Sequence, residues 1–353
     1  MSGYWSRLAR NIQPYVPGEQ PRGGVLIKLN TNENPYPPSP RVLEAIKDAA
    51  DGRLRLYPDP DCADLRAALA ARHGLTSDCV YVGNGSDELL AFAFMAFFDP
   101  GRPILFPDVT YSFYPVYAGL FGLDYRAIPL RHDLTVPVKA FYGDSGGVVL
   151  ANPNAPTGIS LPAAEVLRIA RESPHALVLV DEAYVDFGGE SVSAAVLDHP
   201  NLLVVRTFSK SRCLAGLRVG YALGRPELIE GIARIKDCFN SYTMDRLALA
   251  GALAAVADEE YYRSANAKVA ATRERIAREL RGRGYQVTDS RANFLFVSHG
   301  ARRGEELFRG LRERGILVRH FRQPARIADW LRISIGTDEE MDKLAGVMGE
   351  LAG

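Results

Sequence analysis

Cysteine is scarce in this sequence of 353 residues, and its few copies are not paired. Cys62, Cys79, Cys213 and Cys238 stand far apart, without the close spacing of a zinc site or of a disulfide framework. The six histidines form no ligand pair at helical spacing either. The sequence therefore predicts no metal site, and its cysteine usage is typical of a protein of the reducing cytoplasm.

An excess of charge of either sign is also missing, and so is a long hydrophobic run. Lys and Arg together number 42, as do Asp and Glu, so the formal net charge is zero. No basic stripe stands out, and we expect neither nucleic acid nor an anionic membrane as a partner. The longest apolar run, residues 89–98, is too short to span a bilayer and predicts a buried helix. No long apolar segment stands near the N-terminus, so no secretory signal is evident.

Lysine is rare in this sequence and is greatly outnumbered by Arg. Lys210 is the only lysine between Lys139 and Lys236. Lys210 follows an apolar run at 202–205 that predicts a buried strand, and Arg218 comes eight positions later. Most lysines are solvated surface residues. A lysine with a lowered pKa, however, can form a Schiff base with a carbonyl compound, and an arginine can bind a phosphate. This stretch is therefore a candidate site.

Apolar residues are plentiful, at 47% of the chain, which is enough for two domains. Short apolar strands alternate with helical segments over residues 30–245, which predicts a mostly parallel sheet flanked by helices in a large domain. Residues 246–353 predict a smaller α/β domain. Residues 1–29 are rich in Pro and Gly, and we expect an arm or loop there, not a helix.

Five candidate residues follow predicted strands. The carboxyl ends of parallel strands meet at one edge of a sheet, where ligands bind. The turn Gly83-Asn-Gly85 leads from a strand into a helix, and the free N–H groups of such a helix start suit a phosphate, although many helices begin this way for structural reasons. The candidates at this edge are Gly85, Tyr111, Asn154, Asp181 and Lys210.

Three stretches together carry a resemblance to a known family. They are residues 206–221, Asp181-Glu-Ala-Tyr184 and Gly83-Asn-Gly-Ser-Asp-Glu88. With them the chain resembles the fold-type I aminotransferases that use pyridoxal 5′-phosphate (PLP), and within these the histidinol-phosphate aminotransferases. The resemblance extends from Pro14-Tyr15 to Gly336-Thr337. It implies the α/β fold of PLP-dependent transferases, with the large and small domains and the N-terminal arm predicted above, PLP as cofactor, and a homodimer.

The resemblance implies a role for each residue around the cofactor. Lys210 forms the Schiff base with PLP and later moves protons, Asp181 keeps the pyridine nitrogen protonated, and Tyr184 donates to the ring hydroxyl. Tyr111 covers the face of the ring. The phosphate is bound by a helix start, a hydroxyl and a guanidinium, for which the residues are Gly85, Ser86, Asp87, Ser209 and Arg218.

One position departs from the family pattern. Relatives carry Asn-Asn-Pro-Thr-Gly, in which the Asn before Pro contacts the ring hydroxyl, whereas this chain has Ala155 at that position. Either Asn154 takes the role through a shifted turn, or Tyr184 makes the contact alone. We expect Asn154 to take it.

The resemblance also implies which residues bind the anionic end of the substrate. Arg319 and Arg332 suit the bidentate binding of a carboxylate or phosphate, and Arg322 competes with Arg319 for this role. Asn240 fits an ordinary loop as well as it fits the pocket. The remaining candidates are Asn32, Tyr15 of the arm, and Tyr57, which reaches the cofactor and substrate of a partner subunit.

The expected activity is the transamination of L-histidinol phosphate with 2-oxoglutarate in histidine biosynthesis. It gives imidazole acetol phosphate and glutamate by a ping-pong route through pyridoxamine phosphate. Two rivals are an aromatic amino acid aminotransferase and a threonine-phosphate decarboxylase, which would release CO₂ without a keto acid. A third is a PLP-binding regulator domain without turnover. These 353 residues show no DNA-binding segment, and Lys210 and Asp181 argue for retained chemistry.

Overall fold

Two β-sheets organise residues 3–20 and 27–353, which the computed structural model describes. The strands in chain order are β1 (Ile27–Leu29), β2 (Val80–Gly83), β3 (Ile104–Pro107), β4 (Tyr125–Ile128), β5 (Gly147–Ala151), β6 (Val178–Asp181), β7 (Leu202–Thr207), β8 (Gly220–Leu223), β9 (Tyr285–Val287), β10 (Phe294–His299), β11 (Ile316–His320) and β12 (Leu331–Ser334). The helices are α1 (Arg7–Asn11), α2 (Pro40–Ala49), α3 (Ala63–His73), α4 (Gly85–Phe97), α5 (Tyr114–Phe121), α6 (Ala163–Glu172), α7 (Pro226–Phe239), α8 (Arg246–Ala257), α9 (Glu259–Gly282), α10 (Gly304–Glu313) and α11 (Asp338–Ala352).

The larger sheet has its strands in the spatial order β2, β8, β7, β6, β5, β3 and β4. Every neighbouring pair is parallel except the two that involve β8, which runs antiparallel to β2 and to β7. The strands β5, β6 and β7 are buried at every residue. Strands buried on both faces are typical of parallel sheets covered by helices. The mostly parallel sheet predicted from the sequence is confirmed.

Helices cover the two faces of this sheet and give it two apolar cores. Leu69 of α3 and Ile169 of α6 belong to the core on one face. Phe94 of α4, Tyr114 of α5 and Ile232 of α7 belong to the core on the other. Alternate strand residues supply the sheet side of each core, as the pleat requires. The sheet is therefore the middle of three layers, and the loops at its strand ends are left to build a site.

Three segments of the larger sheet end at the same edge. β6 ends at Asp181, and its parallel neighbour β7 ends three residues before Lys210. The residue Gly220 pairs with Gly83 of β2 on one side and with Thr207 of β7 on the other, so β2 ends at that edge too. Because α4 begins directly after β2, its first turn also lies there.

The smaller sheet has the order β1, β11, β12, β10 and β9. The pair β1 and β11 is parallel, and the other pairs are antiparallel. Its apolar core contains side chains from three helices, among them Leu280 of α9, Leu311 of α10 and Leu344 of α11. This sheet brings Arg319 of β11 and Arg332 of β12 side by side, since the two are register partners.

Local sequence signals place several helix ends correctly. Ser39 caps α2, because its side chain accepts a hydrogen bond from the Val42 N–H, and Pro40 is the first helical residue, where proline is favoured. Gly74 ends α3 in the left-handed conformation, with φ 65°. The apolar run at 89–98 lies mainly in α4, whose Leu89 is fully buried. Within residues 3–20 and 27–353, none of the helices has the length and apolar character needed to cross a membrane.

The structure contains two helices that we did not expect from the sequence, α1 in the N-terminal segment and α7. We expected no helix before residue 30, yet Arg7–Asn11 form a short one, capped by the Ser6 side chain. Ile27–Leu29 are not part of a free arm, because they pair with β11 in the smaller sheet. We did not expect α7 from the sequence, although Pro226 and Glu227 at its start are ordinary helix-start signals.

Candidate active site

One cavity collects most of the predicted site residues. Its volume is about 510 Å³, and it lies where the strand ends of the larger sheet face the smaller sheet. The predicted residues that line it are Tyr15, Asn32, Ser86, Asp87, Tyr111, Asp181, Tyr184, Ser209, Lys210, Arg218, Arg319 and Arg332.

Lys210 lies just beyond the end of β7 and extends into this cavity. Its Nζ donates a hydrogen bond to the Thr31 carbonyl oxygen at 3.1 Å and stands 6.0 Å from the centre of the Tyr184 ring. Burial lowers the pKa of Lys210 to about 8, and the positive charge of Arg332 contributes to this. A larger fraction of the amine is therefore neutral near pH 8 than in a solvated lysine, and the neutral amine is the nucleophile.

Asp181 is buried at the end of β6. The Tyr114 hydroxyl donates to its Oδ2 at 3.2 Å, and the Ala183 N–H donates to its Oδ1 at 3.1 Å. Burial raises the pKa of Asp181 to about 7, while the hydrogen bonds from Ala183 and Tyr114 oppose this shift. A bound cation or ring N–H facing this carboxylate would stabilise its charged form.

The Tyr184 hydroxyl accepts a hydrogen bond from Asn32 Nδ2 at 3.0 Å. The ring of Tyr184 packs edge-on against Phe294, with centroids 5.1 Å apart. Burial raises the pKa of Tyr184, and the charge of Arg332 opposes this shift. The phenol is therefore neutral at ordinary pH and keeps a hydrogen that it can donate.

The first turn of α4 packs directly against Arg218. Gly85 has a φ of 82°, and a methyl group on it would lie 2.6 Å from Arg218 Nη2. A methyl group on Gly220 would lie 2.6 Å from the Ser86 nitrogen. Only glycine fits either position without a shift of the backbone or of the guanidinium. The Asn84 side chain does not cap this helix start, so its N–H groups suit an anion.

Three further residues predicted to bind the cofactor, Asp87, Tyr111 and Ser209, lie around this helix start. Arg218 Nη1 donates to Ser209 Oγ at 3.3 Å, and its Nη2 donates to Asp87 Oδ2 at 3.3 Å. The Tyr111 hydroxyl donates to Asp87 Oδ1 at 2.9 Å, which fixes its ring at the cavity wall. Backbone N–H groups, a hydroxyl and a guanidinium thus meet within one short region, as the sequence predicts for a phosphate site.

Arg319 and Arg332 also line the cavity. Arg332 Nη2 donates to the Asn30 carbonyl oxygen at 3.1 Å, and its guanidinium lies over Phe294 and Phe321. Its Nε is buried and has no hydrogen-bond partner among the described residues. Arg319 donates to the carbonyl oxygens of Val16 and Pro17, at 3.2 and 3.4 Å. A buried guanidinium donor without a partner suits an anionic ligand.

The structure distinguishes two further candidates for binding the substrate, Tyr15 and Arg322. Tyr15 stacks on Phe113, with ring centroids 4.4 Å apart, and reaches the cavity from the N-terminal segment. Arg322 has 79% of its side chain exposed, pairs with Glu305 at 3.5 Å, and does not line the cavity. Of the two competing arginines, Arg319 is therefore the one at the site.

The prediction that Asn154 takes the place of the missing asparagine is not supported by the geometry. Its amide is buried elsewhere: Nδ2 donates to the Val109 carbonyl and to Thr157 Oγ1, both at 3.0 Å, and Oδ1 accepts from Thr110 Oγ1 at 2.9 Å. Ala155 lines the cavity instead. Three hydrogen bonds hold the Asn154 amide away from the site, so we correct this expectation.

Two other predicted residues lie outside the cavity of their own chain. Tyr57 has 78% of its surface exposed and stacks on Tyr242, with ring centroids 4.5 Å apart. Asn240 follows the end of α7, where its Oδ1 accepts from the Tyr242 N–H at 3.1 Å. This contact of Asn240 fits the ordinary loop role, while the prediction for Tyr57 depends on a second copy of the chain.

Sequence reasoning missed two contributors to the site. Tyr114 bonds to Asp181 although the two are 67 positions apart, and the Thr31 carbonyl bonds to Lys210 from 179 positions away. The sequence held only a weak signal for Tyr114, its position three residues after the predicted site residue Tyr111. A backbone carbonyl such as that of Thr31 leaves no sequence signal.

A larger cavity, of about 630 Å³, lies elsewhere, among the segments 131–142 and 159–168. It holds Asn154 but no other predicted site residue. Because the smaller cavity contains a lysine of lowered pKa, a buried carboxylate and three arginines, we assign the site there. In the described ranges, no three His, Cys, Asp or Glu side chains come together as metal ligands, and the four cysteines are free.

Comparisons with known proteins give the family. The family model for aminotransferase class I and II matches residues 25–348. The chain belongs to the class I and II aminotransferases. This aminotransferase is 55% identical to the histidinol-phosphate aminotransferase of Acetobacter pasteurianus, over 99% of this chain and 98% of the relative. It is 52% identical to that of Clostridium acetobutylicum, over 97% of each chain.

A solved structure agrees with this assignment of the aminotransferase. The histidinol-phosphate aminotransferase of Sinorhizobium meliloti, solved in complex with pyridoxal-5′-phosphate, superposes with a TM-score of 0.88 at 29% identity. The superposition covers 100% of this chain and 98% of that one. The resemblance and the fold class expected from the sequence are confirmed.

Proposed function

We propose that this aminotransferase transfers the amino group of L-histidinol phosphate to 2-oxoglutarate in histidine biosynthesis, with PLP held on Lys210. The observation that carries the proposal is one cavity lined by Lys210 and Asp181 together with Arg319 and Arg332. The close relatives named as histidinol-phosphate aminotransferases support the choice of substrate.

The residues present fit PLP. The uncapped first turn of α4, Ser209 and Arg218 suit its phosphate, and the missing methyl groups of Gly85 and Gly220 leave the helix start and the guanidinium close together. Asp181 suits the pyridine nitrogen, because a protonated ring nitrogen would stabilise its buried charge. When bound, the cofactor supplies an electron sink for the substrate carbon that bears the amino group.

The protein's own groups would then handle binding and protons. Lys210, whose pKa lies at about 8, would first hold the cofactor. It would then carry the proton that leaves the substrate carbon bearing the amino group. Tyr111 would cover the ring, and Tyr184 would donate a hydrogen bond to it. Arg319 and Arg332 would hold the phosphate of the donor and a carboxylate of the keto acid in turn, since each anion suits a guanidinium.

We also propose a homodimer in which Tyr57 reaches the partner's site. Tyr57 does not line the cavity of its own chain, and Leu54, Leu56 and Phe239, which stand near Tyr57 or its stacking partner Tyr242 in the sequence, are exposed as well. Exposed apolar patches mark interaction surfaces. The division into a large domain, 30–245, and a small domain, 246–353, is also a proposal, which the two sheets support. A cytoplasmic location remains our prediction from the cysteine usage.

The test is a half-reaction followed by absorbance. Protein loaded with PLP is mixed with histidinol phosphate alone, and 2-oxoglutarate is added afterwards. We expect histidinol phosphate to remove the visible absorbance band of the bound cofactor, and 2-oxoglutarate to restore it. A band that responds to phenylalanine but not to histidinol phosphate would move the assignment to an aromatic aminotransferase. CO₂ release from threonine phosphate without a keto acid would move it to a decarboxylase.

A further inference from the structure

Asn32 connects the N-terminal segment to the site through its side chain. It follows β1, is 1% exposed, and has a left-handed φ of 56°. That conformation costs free energy in a residue other than glycine and persists only where the surroundings hold it. The Asn293 side chain is one of those surroundings, since its Nδ2 donates to the Asn32 carbonyl oxygen at 2.9 Å.

Contacts with Ser334 fix which way the Asn32 amide faces. The Asn32 N–H donates to Ser334 Oγ at 2.8 Å, and the Ser334 hydroxyl donates to Asn32 Oδ1 at 3.0 Å. With the amide turned over, Ser334 Oγ would accept twice, and its hydrogen would have no partner in the described part of the chain. Asn32 Oδ1 therefore faces Ser334, and Nδ2 faces Tyr184.

This orientation determines what the Tyr184 hydroxyl can do. Asn32 Nδ2 donates to the Tyr184 oxygen at 3.0 Å, so that oxygen acts as the acceptor. The hydrogen of Tyr184 stays available to another acceptor, and no second partner of this hydroxyl occurs among residues 3–20 and 27–353. Ala155, on the wall of the same cavity, has no polar side-chain atom. Tyr184 is therefore the donor at this part of the cavity.

We propose that Asn32 is a positioning residue that holds the Tyr184 hydroxyl as a hydrogen-bond donor toward an anionic oxygen of the bound group. The inference rests on the proposed function, in which that oxygen belongs to the PLP ring. A donor held in this way stabilises the anionic form of its acceptor. This role differs from the substrate contact that we predicted for Asn32 from the sequence.

The charged groups that face Tyr184 come from several elements. Arg332 lies on β12, Asp181 ends β6, Asp87 lies in the first turn of α4, and Lys210 follows β7. Each of them also influences protonation of the bound group. Because the test below leaves all four unchanged, a difference between its variants reports on Asn32 and Tyr184.

The test compares four PLP-loaded proteins: the wild type, Asn32→Asp, Tyr184→Phe and the double variant. Their visible absorbance is titrated against pH. Asn32→Asp keeps the side-chain size but replaces the Nδ2 donor by an acceptor, so Tyr184 donates to residue 32 and no longer to the cofactor. We expect the midpoint of the absorbance titration to rise by about 0.5–1 pH unit. A shift of this size corresponds to the loss of one hydrogen bond, the one from Tyr184 to the cofactor. Tyr184→Phe should raise it similarly.

The double variant separates the hydrogen bond from the new charge. A carboxylate at position 32 raises the midpoint by itself, and Asn32→Asp in the Tyr184→Phe background measures that effect alone. We expect a smaller rise there than in the wild-type background. Equal rises in the two backgrounds would overturn the positioning role.

Further outcomes keep the inference separate from the proposed function. A wild type without a visible band in the presence of PLP would contradict the proposed cofactor and not the hydrogen-bond geometry. Melting curves without PLP show whether each variant folds. If Asn32→Asp does not fold, Ser334→Ala releases the amide from its other side. An unchanged midpoint in folded Ser334→Ala would also overturn the inference.

Discussion

The part of the cavity with Asp181 and Lys210 and the part with Arg319 and Arg332, called by their proposed roles the cofactor end and the substrate end, are assembled from the chain in different ways. The first is built at one edge of one sheet, where adjacent parallel strands end. The second is built where the N-terminal segment meets the smaller sheet, since Arg319 bonds to Val16 and Pro17, and Arg332 to Asn30. The first depends on strand order and the second on contacts between distant segments.

The two ends also differ in their electrostatics, and they are linked. Burial is the main cause of the raised pKa of Asp181 and of the lowered pKa of Lys210. The charge of Arg332, at the other end, is the second cause for Lys210. Arg332 therefore helps to lower the pKa of Lys210. Mutations at the first end should affect chemistry, and mutations at the second should affect binding and, through charge, the lysine.

Removing the amine of Lys210 tests the cofactor end and should have the largest effect. We expect Lys210→Ala to lower turnover by at least about 10⁴-fold, because the nucleophile and proton carrier are lost together. The measurement is steady-state turnover of histidinol phosphate. Lys343→Ala, at an exposed position of α11, is the matched control and should retain normal turnover. Retained turnover in Lys210→Ala would contradict the assignment of the lysine.

Arg332→Gln tests the substrate end. We expect KM for histidinol phosphate to rise by about 10- to 100-fold, with a smaller change in kcat, because a charged hydrogen bond to the substrate anion is lost. Arg332→Lys keeps the charge but not the planar pair of donors, so it should rescue binding only in part. A large loss in kcat with an unchanged KM would place Arg332 with the catalytic groups and remove the distinction between the ends.

Arg319→Gln and Arg322→Gln form a matched pair, since the two arginines are three positions apart and only Arg319 lines the cavity. We expect about a 10-fold rise in KM for Arg319→Gln, and less than about 2-fold for Arg322→Gln, whose ion pair is exposed. Kinetics with both substrates measure this. A stronger effect at Arg322 would reverse the assignment.

The link between the ends can be measured as a pH shift. The rate at which the protein without cofactor captures PLP should rise with pH through about 8, because the neutral Lys210 amine is the nucleophile and burial lowers its pKa to about 8. Without the charge of Arg332, that pKa should move up toward its ordinary value. The midpoint in Arg332→Gln should therefore lie above that of the wild type, and the midpoint in Arg332→Lys near it. Equal midpoints in all three proteins would contradict an influence of the Arg332 charge on the pKa of Lys210.

The cofactor end was largely predictable from the sequence, because local patterns determine it. Short apolar runs predict parallel strands, and the residues after them, such as Asp181 and Lys210, then meet at one edge. Glycines at strand-to-helix turns predict an anion site, as Gly85 illustrates. The bond between Tyr114 and Asp181 has no such local signal, because only the packing of α5 beside β6 creates it.

The substrate end was predictable only through resemblance, and in part. Its arginines lie on strands of the smaller sheet, but their carbonyl partners at residues 16, 17 and 30 depend on the path of the N-terminal segment. The error at Asn154 has a similar origin. A polar residue in a turn has several partners within reach, and here Thr110, Val109 and Thr157 hold its amide away from the cavity.

Chemical mapping of the lysine that holds the cofactor tests the central claim most directly. Protein loaded with PLP is reduced with borohydride, digested, and its peptides are identified by mass spectrometry. Reduction makes a lysine–PLP link permanent, so the modified position can be read from the peptide mass. We predict the added mass on the peptide that contains Lys210 and on no other peptide. Modification of a different lysine, with Lys210 unmodified, would contradict the account.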